Sequence, residues 1–127
     1  MKLPYFVDHL VFRVSDLAST ERFYTAILQQ QSQRAADSIM YNIGDTRLFF
    51  TLSNQKQPEK FDKENIGLNH LAFGVREPQE LQSVQKRLDN AKVVHSGINK
   101  DHYGQKDFIW LDDPDGMRIE FYCRPSP

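Results

Sequence analysis

Asp8-His9-Leu10-Val11-Phe12-Arg13-Val14-Ser15-Asp16 and Asn69-His70-Leu71-Ala72-Phe73-Gly74-Val75-Arg76-Glu77 are two versions of one pattern. At an offset of 61, His9 meets His70, Leu10 meets Leu71, Phe12 meets Phe73 and Val14 meets Val75. Apolar residues alternate with other types at period two, which predicts a strand in each copy. An internal repeat of this kind sets the architecture before any other feature is read.

Each predicted strand is followed by a helix signal. After the first, Asp16 is placed to cap, and Leu17, Thr20, Phe23, Tyr24, Ile27 and Leu28 recur at steps of three and four. After the second, Pro78 stands near a helix start, where its missing N–H does least harm. Leu81, Val84 and Leu88 then form a stripe that ends near Asn90.

Further strands follow each helix. Ser38–Ile43 and Arg47–Ser53 flank Gly44-Asp45, a hairpin-like turn. Lys92–His95, Asp107–Leu111 and Met117–Cys123 read as the strands of the second half. The last two flank Asp112-Asp113-Pro114-Asp115-Gly116, which is strong turn chemistry. Both halves therefore read as strand, helix, then two or three strands. The expectation is a single α+β domain over residues 1–127. Module one covers about 1–55, a polar linker about 54–64, and module two about 65–127.

Composition narrows the class. The chain has 127 residues, enough for one domain. Aromatic residues make up 12%, which argues against disorder. Sixteen basic residues face seventeen acidic ones, so the basic footprint of a nucleic-acid binder is missing. The single cysteine, Cys123, allows no internal disulfide and fits a reducing compartment. No apolar run approaches the roughly 18 residues of a membrane span, and the first residues form no signal-like apolar stretch. A soluble cytoplasmic protein is expected.

Alternation also assigns faces. Leu10, Phe12 and Val14 share one side of the first strand; His9, Val11 and Arg13 share the other. In the matching strand, His70, Ala72 and Gly74 oppose Leu71, Phe73 and Val75. In the last strand, Arg118, Glu120, Tyr122 and Arg124 oppose Ile119, Phe121 and Cys123. The apolar sides must pack on the helices, which makes Cys123 a packing residue. His9, His70 and Glu120 then lie on the opposite, concave side. Phe49, Thr51, Ser53, Phe108 and Trp110 join them if their strands keep register. Arg13, Arg118 and Arg124 read either as a solvated surface or as a positive rim that suits a polar or anionic small molecule. Two histidines and a carboxylate on one face form a triad for Fe, Mn, Ni, Co or Zn, with positions left open.

These segments, with Asp113-Pro114-Asp115-Gly116-Met117-Arg118-Ile119-Glu120-Phe121, resemble the vicinal oxygen chelate superfamily over essentially the whole chain. That superfamily includes glyoxalase I, extradiol dioxygenases, fosfomycin-resistance transferases and bleomycin-resistance proteins. The resemblance implies two βαβββ modules forming a cupped mixed sheet with the helices on its outer face. It implies a divalent metal held by His9, His70 and Glu120, chelation of neighbouring substrate oxygens, and a homodimer. Phe49, Thr51, Phe108, Trp110, Arg118 and Tyr122 are the expected substrate-binding residues.

Departures from individual activities matter too. Glyoxalase I and methylmalonyl-CoA epimerase carry a further Glu on the last strand of the first module, where Phe49 stands here. Extradiol dioxygenases place a tyrosine on the strand before the carboxylate, where this chain has Phe108-Ile109-Trp110. Fosfomycin transferases place Thr two residues after the first histidine, where Val11 stands, and a potassium loop where Lys100–Lys106 lies. The Ile98–Asp107 segment reads as an exposed polar loop, or as a lid carrying a proton-transfer group, for which His102 and Tyr103 are the candidates. The rival readings are a fosfomycin-type thiol transferase and a non-catalytic binding protein of the bleomycin-resistance kind.

Overall fold

A computed structural model of the chain describes residues 2–126. The chain folds as two compact units, the first ending at Glu59 and the second starting at Lys60. That division falls inside the polar span between the two halves of the repeat.

The first unit runs β1 (His9–Val14), α1 (Leu17–Leu28), β2 (Gln33–Arg34), β3 (Ser38–Ile43) and β4 (Thr46–Leu52). Asp16 caps α1 as expected: its carboxylate accepts from the Ser19 N–H at 2.8 Å. That backbone hydrogen bond holds the Asp16 pKa below the ordinary carboxylate value. The helix turns Leu17, Thr20, Tyr24 and Ile27 inward. The sheet order is β1-β4-β3-β2, with β1 and β4 parallel and the other pairs antiparallel. Gly44, at φ 57°, makes the tight β3–β4 turn that its missing Cβ permits. Between helix and sheet, the Tyr24 ring lies 4.3 Å from that of Phe50. Ile39, Tyr41 and Leu48 complete the buried layer. The Tyr41 hydroxyl reaches α1, at 2.8 Å from Thr25 Oγ1 and donating to the Glu21 carbonyl at 3.2 Å. Burial raises its pKa.

The second unit repeats the plan as β5 (His70–Val75), α2 (Pro78–Asn90), β6 (Asn99–Lys100), β7 (Asp107–Asp112) and β8 (Arg118–Cys123). Pro78 takes the first helical turn, and Glu77 with Glu80 forms a reciprocal capping box. Leu81, Val84 and Leu88 are buried against a layer of Ile109, Leu111, Ile119 and Phe121. The order is β5-β8-β7-β6, with β5 and β8 parallel. At the β7–β8 turn, Asp113 Oδ1 accepts from the N–H groups of Asp115 and Met117, both at 2.9 Å. Gly116 adopts φ 86° there. Cys123 is buried with the apolar side.

Each unit is therefore βαβββ, with a four-stranded mixed sheet covered by its own helix. Two strand expectations need correction. Lys92–His95 is not a strand, apart from one isolated bridge between His95 and Leu111. The amides of Ala91, Lys92 and Val93 instead bond the carbonyls of Arg87, Asp89 and Leu88, closing the helix end. Lys92 turns left-handed at φ 57°, and the Lys92 and Val93 amides are already spent on the helix end. The short strand forms later, at Asn99–Lys100. The other unanticipated strand, β2, has only two residues, both polar, and so carries no alternation to read. No helix among the described residues is long and apolar enough to cross a membrane.

Candidate functional site

The predicted faces hold in both units. In the second, Phe73, Ile109, Ile119, Phe121 and Cys123 are buried on the helix side, while His70, Ala72 and Gly74 are exposed on the other. Register places Glu120 across from Ala72 on one side and from Trp110 on the other. Arg118 lies beside His70, and Tyr122 between Gly74 and Phe108.

His70 and Glu120 meet on this face. The His70 Nε2 and Glu120 Oε1 atoms are 3.3 Å apart. Glu120 is only 8% exposed, so its carboxylate is largely out of water and needs a positive partner. The tautomer of His70 follows from the chain beside it. Asn69 Nδ2 donates to the Lys63 carbonyl at 2.7 Å, which turns Asn69 Oδ1 toward His70 Nδ1, also at 2.7 Å. An amide oxygen only accepts, so Nδ1 carries a proton, and the neutral ring turns its Nε2 lone pair toward Glu120. Two acceptors thus converge on one point. A proton between them would draw them to the roughly 2.7–2.9 Å of a charge-assisted hydrogen bond. Two neighbouring ligands about 2.1 Å from a common divalent ion are instead about 3.0–3.4 Å apart. The observed separation falls within that range.

The first unit presents His9 in the same slot. Its Nδ1 is 2.7 Å from Asp8 Oδ2. A carboxylate also only accepts, so here too Nδ1 carries a proton and the neutral ring keeps Nε2 as its lone pair. Asp8 and Asn69 occupy matching positions of the repeat and orient the two imidazoles alike. The partner beyond the ring differs. Val11 pairs with Phe49 where Ala72 pairs with Glu120, and the Phe49 ring stands edge-on to His9 at 5.8 Å. Thr51 follows on the same face, half-buried. Among the described residues, no three His, Cys, Asp or Glu side chains stand together as a ready metal site. The second unit supplies a pair, and His9 belongs to the first.

Aromatic and cationic groups surround the pair in the second unit. The Arg118 guanidinium lies 4.3 Å over the Trp110 ring, with Nε donating to Asp112 at 2.9 Å. Phe108 stacks on Tyr122 at 4.9 Å. Burial raises the Tyr122 pKa, and the Glu120 and Asp101 carboxylates raise it further. A cleft of about 310 Å³ opens beside them, lined by Ala72, Gly74, Tyr122, Arg124, Asp101 and Lys106. In the 101–106 loop it is therefore Asp101 and Lys106 that line the cleft. His102 and Tyr103 are exposed, their rings 6.1 Å apart. His95 is bracketed between Asp89 at 2.6 Å and the Gly97 N–H at 2.9 Å, a structural tie. Arg13 hydrogen-bonds the Leu52 carbonyl at 3.1 Å.

Sequence reasoning passed over Asp8 and Asn69 as orienting residues, though the repeat aligns them and both side chains end in an acceptor oxygen. Lys106 stands out in the sequence only as one polar residue of its loop, because its approach to the cleft depends on loop geometry.

Similarity to known proteins agrees with this plan. The metallothiol transferase FosB of Bacillus licheniformis is 27% identical over 116 residues, covering 91% of this chain and 73% of that protein. The glyoxalase family protein from Enterococcus faecalis has the same fold, with a TM-score of 0.78 at 22% identity over 95% of this chain and 99% of that one. The fosfomycin resistance protein FosX from Mesorhizobium loti superposes with a TM-score of 0.71 at 18% identity, covering 94% and 92%. Residues 6–121 match the family description itself, so the chain belongs to the Glyoxalase/Bleomycin resistance protein/Dioxygenase superfamily.

Proposed function

We propose that the chain is a divalent-metal-dependent enzyme acting on a small polar or anionic oxygenated substrate, with His9, His70 and Glu120 as ligands. The observation that carries this reading is the His70–Glu120 pair, two acceptor atoms 3.3 Å apart with His70 already locked as a donor at its other nitrogen. The ion, when bound, supplies Lewis acidity toward neighbouring substrate oxygens. Asp8 and Asn69 hold the two imidazoles in their ligating tautomer. Phe49, Thr51, Phe108, Trp110, Arg118 and Tyr122 form the wall that orients the substrate and limits water. His102 and Tyr103, exposed on the 101–106 loop, are the candidates for passing a proton at the reacting oxygen. The working form is a cytoplasmic homodimer.

Thiol transfer is the reaction class best supported. FosB is by name a metallothiol transferase. Its ordinary form is addition of a thiol sulfur to an electrophilic carbon, with the displaced oxygen taking up a proton. Phe49, in place of a fourth carboxylate ligand, argues against the proton shuttling of glyoxalase I. The test is metal content of the wild type and His9→Ala, followed by thiol consumption with epoxide substrates in the presence of Mn, Fe, Co, Ni or Zn. Metal lost in His9→Ala and thiol consumed only with metal are the expected results. Wild-type protein that takes up none of these ions points to a binding module without chemistry and overturns the reading.

A further inference from the structure

The cleft of the second unit carries charges that metal binding leaves unexplained. Lys106 and Arg124 both line it. Neither has an acidic side chain at ion-pair distance among the described residues. Lys100, the other lysine at that loop, is taken by Asp107 at 2.8 Å. The position of Lys106 is built rather than incidental. Asp101 Oδ1 accepts from the N–H groups of Gly104 at 3.0 Å and Lys106 at 2.8 Å. The Asp101 N–H returns a bond to the Lys106 carbonyl at 2.8 Å. The Lys106 stem then crosses Gly104, where a Cβ would meet its Cγ and Cε at 3.5 Å. Arg124 is fixed at its backbone: its N–H donates to the Val75 carbonyl at 2.9 Å, and its own carbonyl accepts from Arg76 at 3.1 Å. Asp101 is the one carboxylate of the lining; its Oδ1 is occupied by the loop amides, and the side chain also takes the Tyr122 hydroxyl.

We propose that this cleft binds the oxyanion end of a small substrate, a carboxylate or phosphate-like group, through Lys106 and Arg124, beside the Tyr122 ring. The proposal deepens the metal reading and rests on it only for what lies at the substrate's other end. Ala72, at the cleft, is the cross-strand neighbour of Glu120, and Tyr122 is two residues further along. Two residues of strand span roughly 7 Å. A molecule of that length joins an oxyanion in the cleft to oxygens at the His70–Glu120 pair.

The test uses the full chain in chelator, so that no metal takes part. Amide NMR spectra are followed during titration with inorganic phosphate, and in parallel with acetate, at constant ionic strength. The expected result is a saturable shift centred on Ala72, Gly74, Lys106 and Tyr122 with one of the two anions. The anion that saturates identifies the class. Lys106→Met and Arg124→Met each weaken that binding by about tenfold, the effect of losing one charge-assisted hydrogen bond. Lys100→Met, which removes a lysine already paired, leaves it unchanged. Failure of both anions to saturate, or unchanged binding in the double Lys106→Met/Arg124→Met variant, overturns the proposal. Metal content of that double variant should match the wild type. Loss of the anion site and loss of the metal site therefore register separately.

Discussion

The two units share a scaffold and differ in what it displays. On the helix side they are nearly interchangeable. Phe12 stacks on Phe50 at 5.1 Å, and Phe73 lies on Phe121 at 5.4 Å, at corresponding register positions. On the open side, His9 and His70 are held alike by the residue before them, yet one faces the edge of Phe49 and the other the carboxylate of Glu120. Packing constrains one side of each strand at every other residue, so duplication preserves it. The other side is free to differ, and one exchange at one slot separates a histidine–carboxylate pair from a histidine–aromatic one.

The shared side predicts matched stability. Ile39 and Ile109 are both fully buried and pair with Phe50 and Phe121. Ile39→Ala and Ile109→Ala should each cost about 2–5 kcal/mol by chemical denaturation. A large cost in one unit and almost none in the other would break the equivalence of the two cores.

The open side predicts a smaller, parallel effect on the metal. Asp8→Ala and Asn69→Ala release the two imidazoles from their fixed tautomer. Each should weaken divalent-metal affinity by about 10–100-fold, measured by competition with a chromogenic chelator. An effect at only one of them would mean that only one of the histidines is a ligand.

A third difference lies inside the cores. Tyr41 ties β3 to α1 through its hydroxyl, whereas the corresponding residue of the second unit, Leu111, has none. Tyr41→Phe should cost about 1 kcal/mol. The folded-state pKa of Tyr41 is raised above the ordinary value of 10. Its contribution is therefore full below pH 10 and is lost as pH rises through the folded value. The difference between wild type and Tyr41→Phe should shrink on that limb; a constant gap up to high pH would count against the buried phenol.

Much of this was legible in the residues. Period-two alternation sorted His9, His70 and Glu120 from Leu10, Leu71 and Ile119 because one face of each strand must be apolar. The repeat of strand, helix and strands aligned Phe49 with Glu120, and the register agrees, with Val11 across from one and Ala72 from the other. What stayed hidden depends on backbone geometry. The helix end at Ala91–Val93 consumes the amides that a strand there would need. The turn that brings Lys106 to the cleft passes through Gln105 at φ 53°, a left-handed conformation that glutamine does not advertise.

The central claim is that the Glu120 slot ligates metal and its counterpart, the Phe49 slot, does not. Metal content of wild type, Glu120→Gln and Phe49→Ala, purified side by side without chelator, tests it most directly. The account predicts near-stoichiometric metal in the wild type and Phe49→Ala, and its loss in Glu120→Gln. Metal retained in Glu120→Gln, or lost equally in both variants, would contradict it.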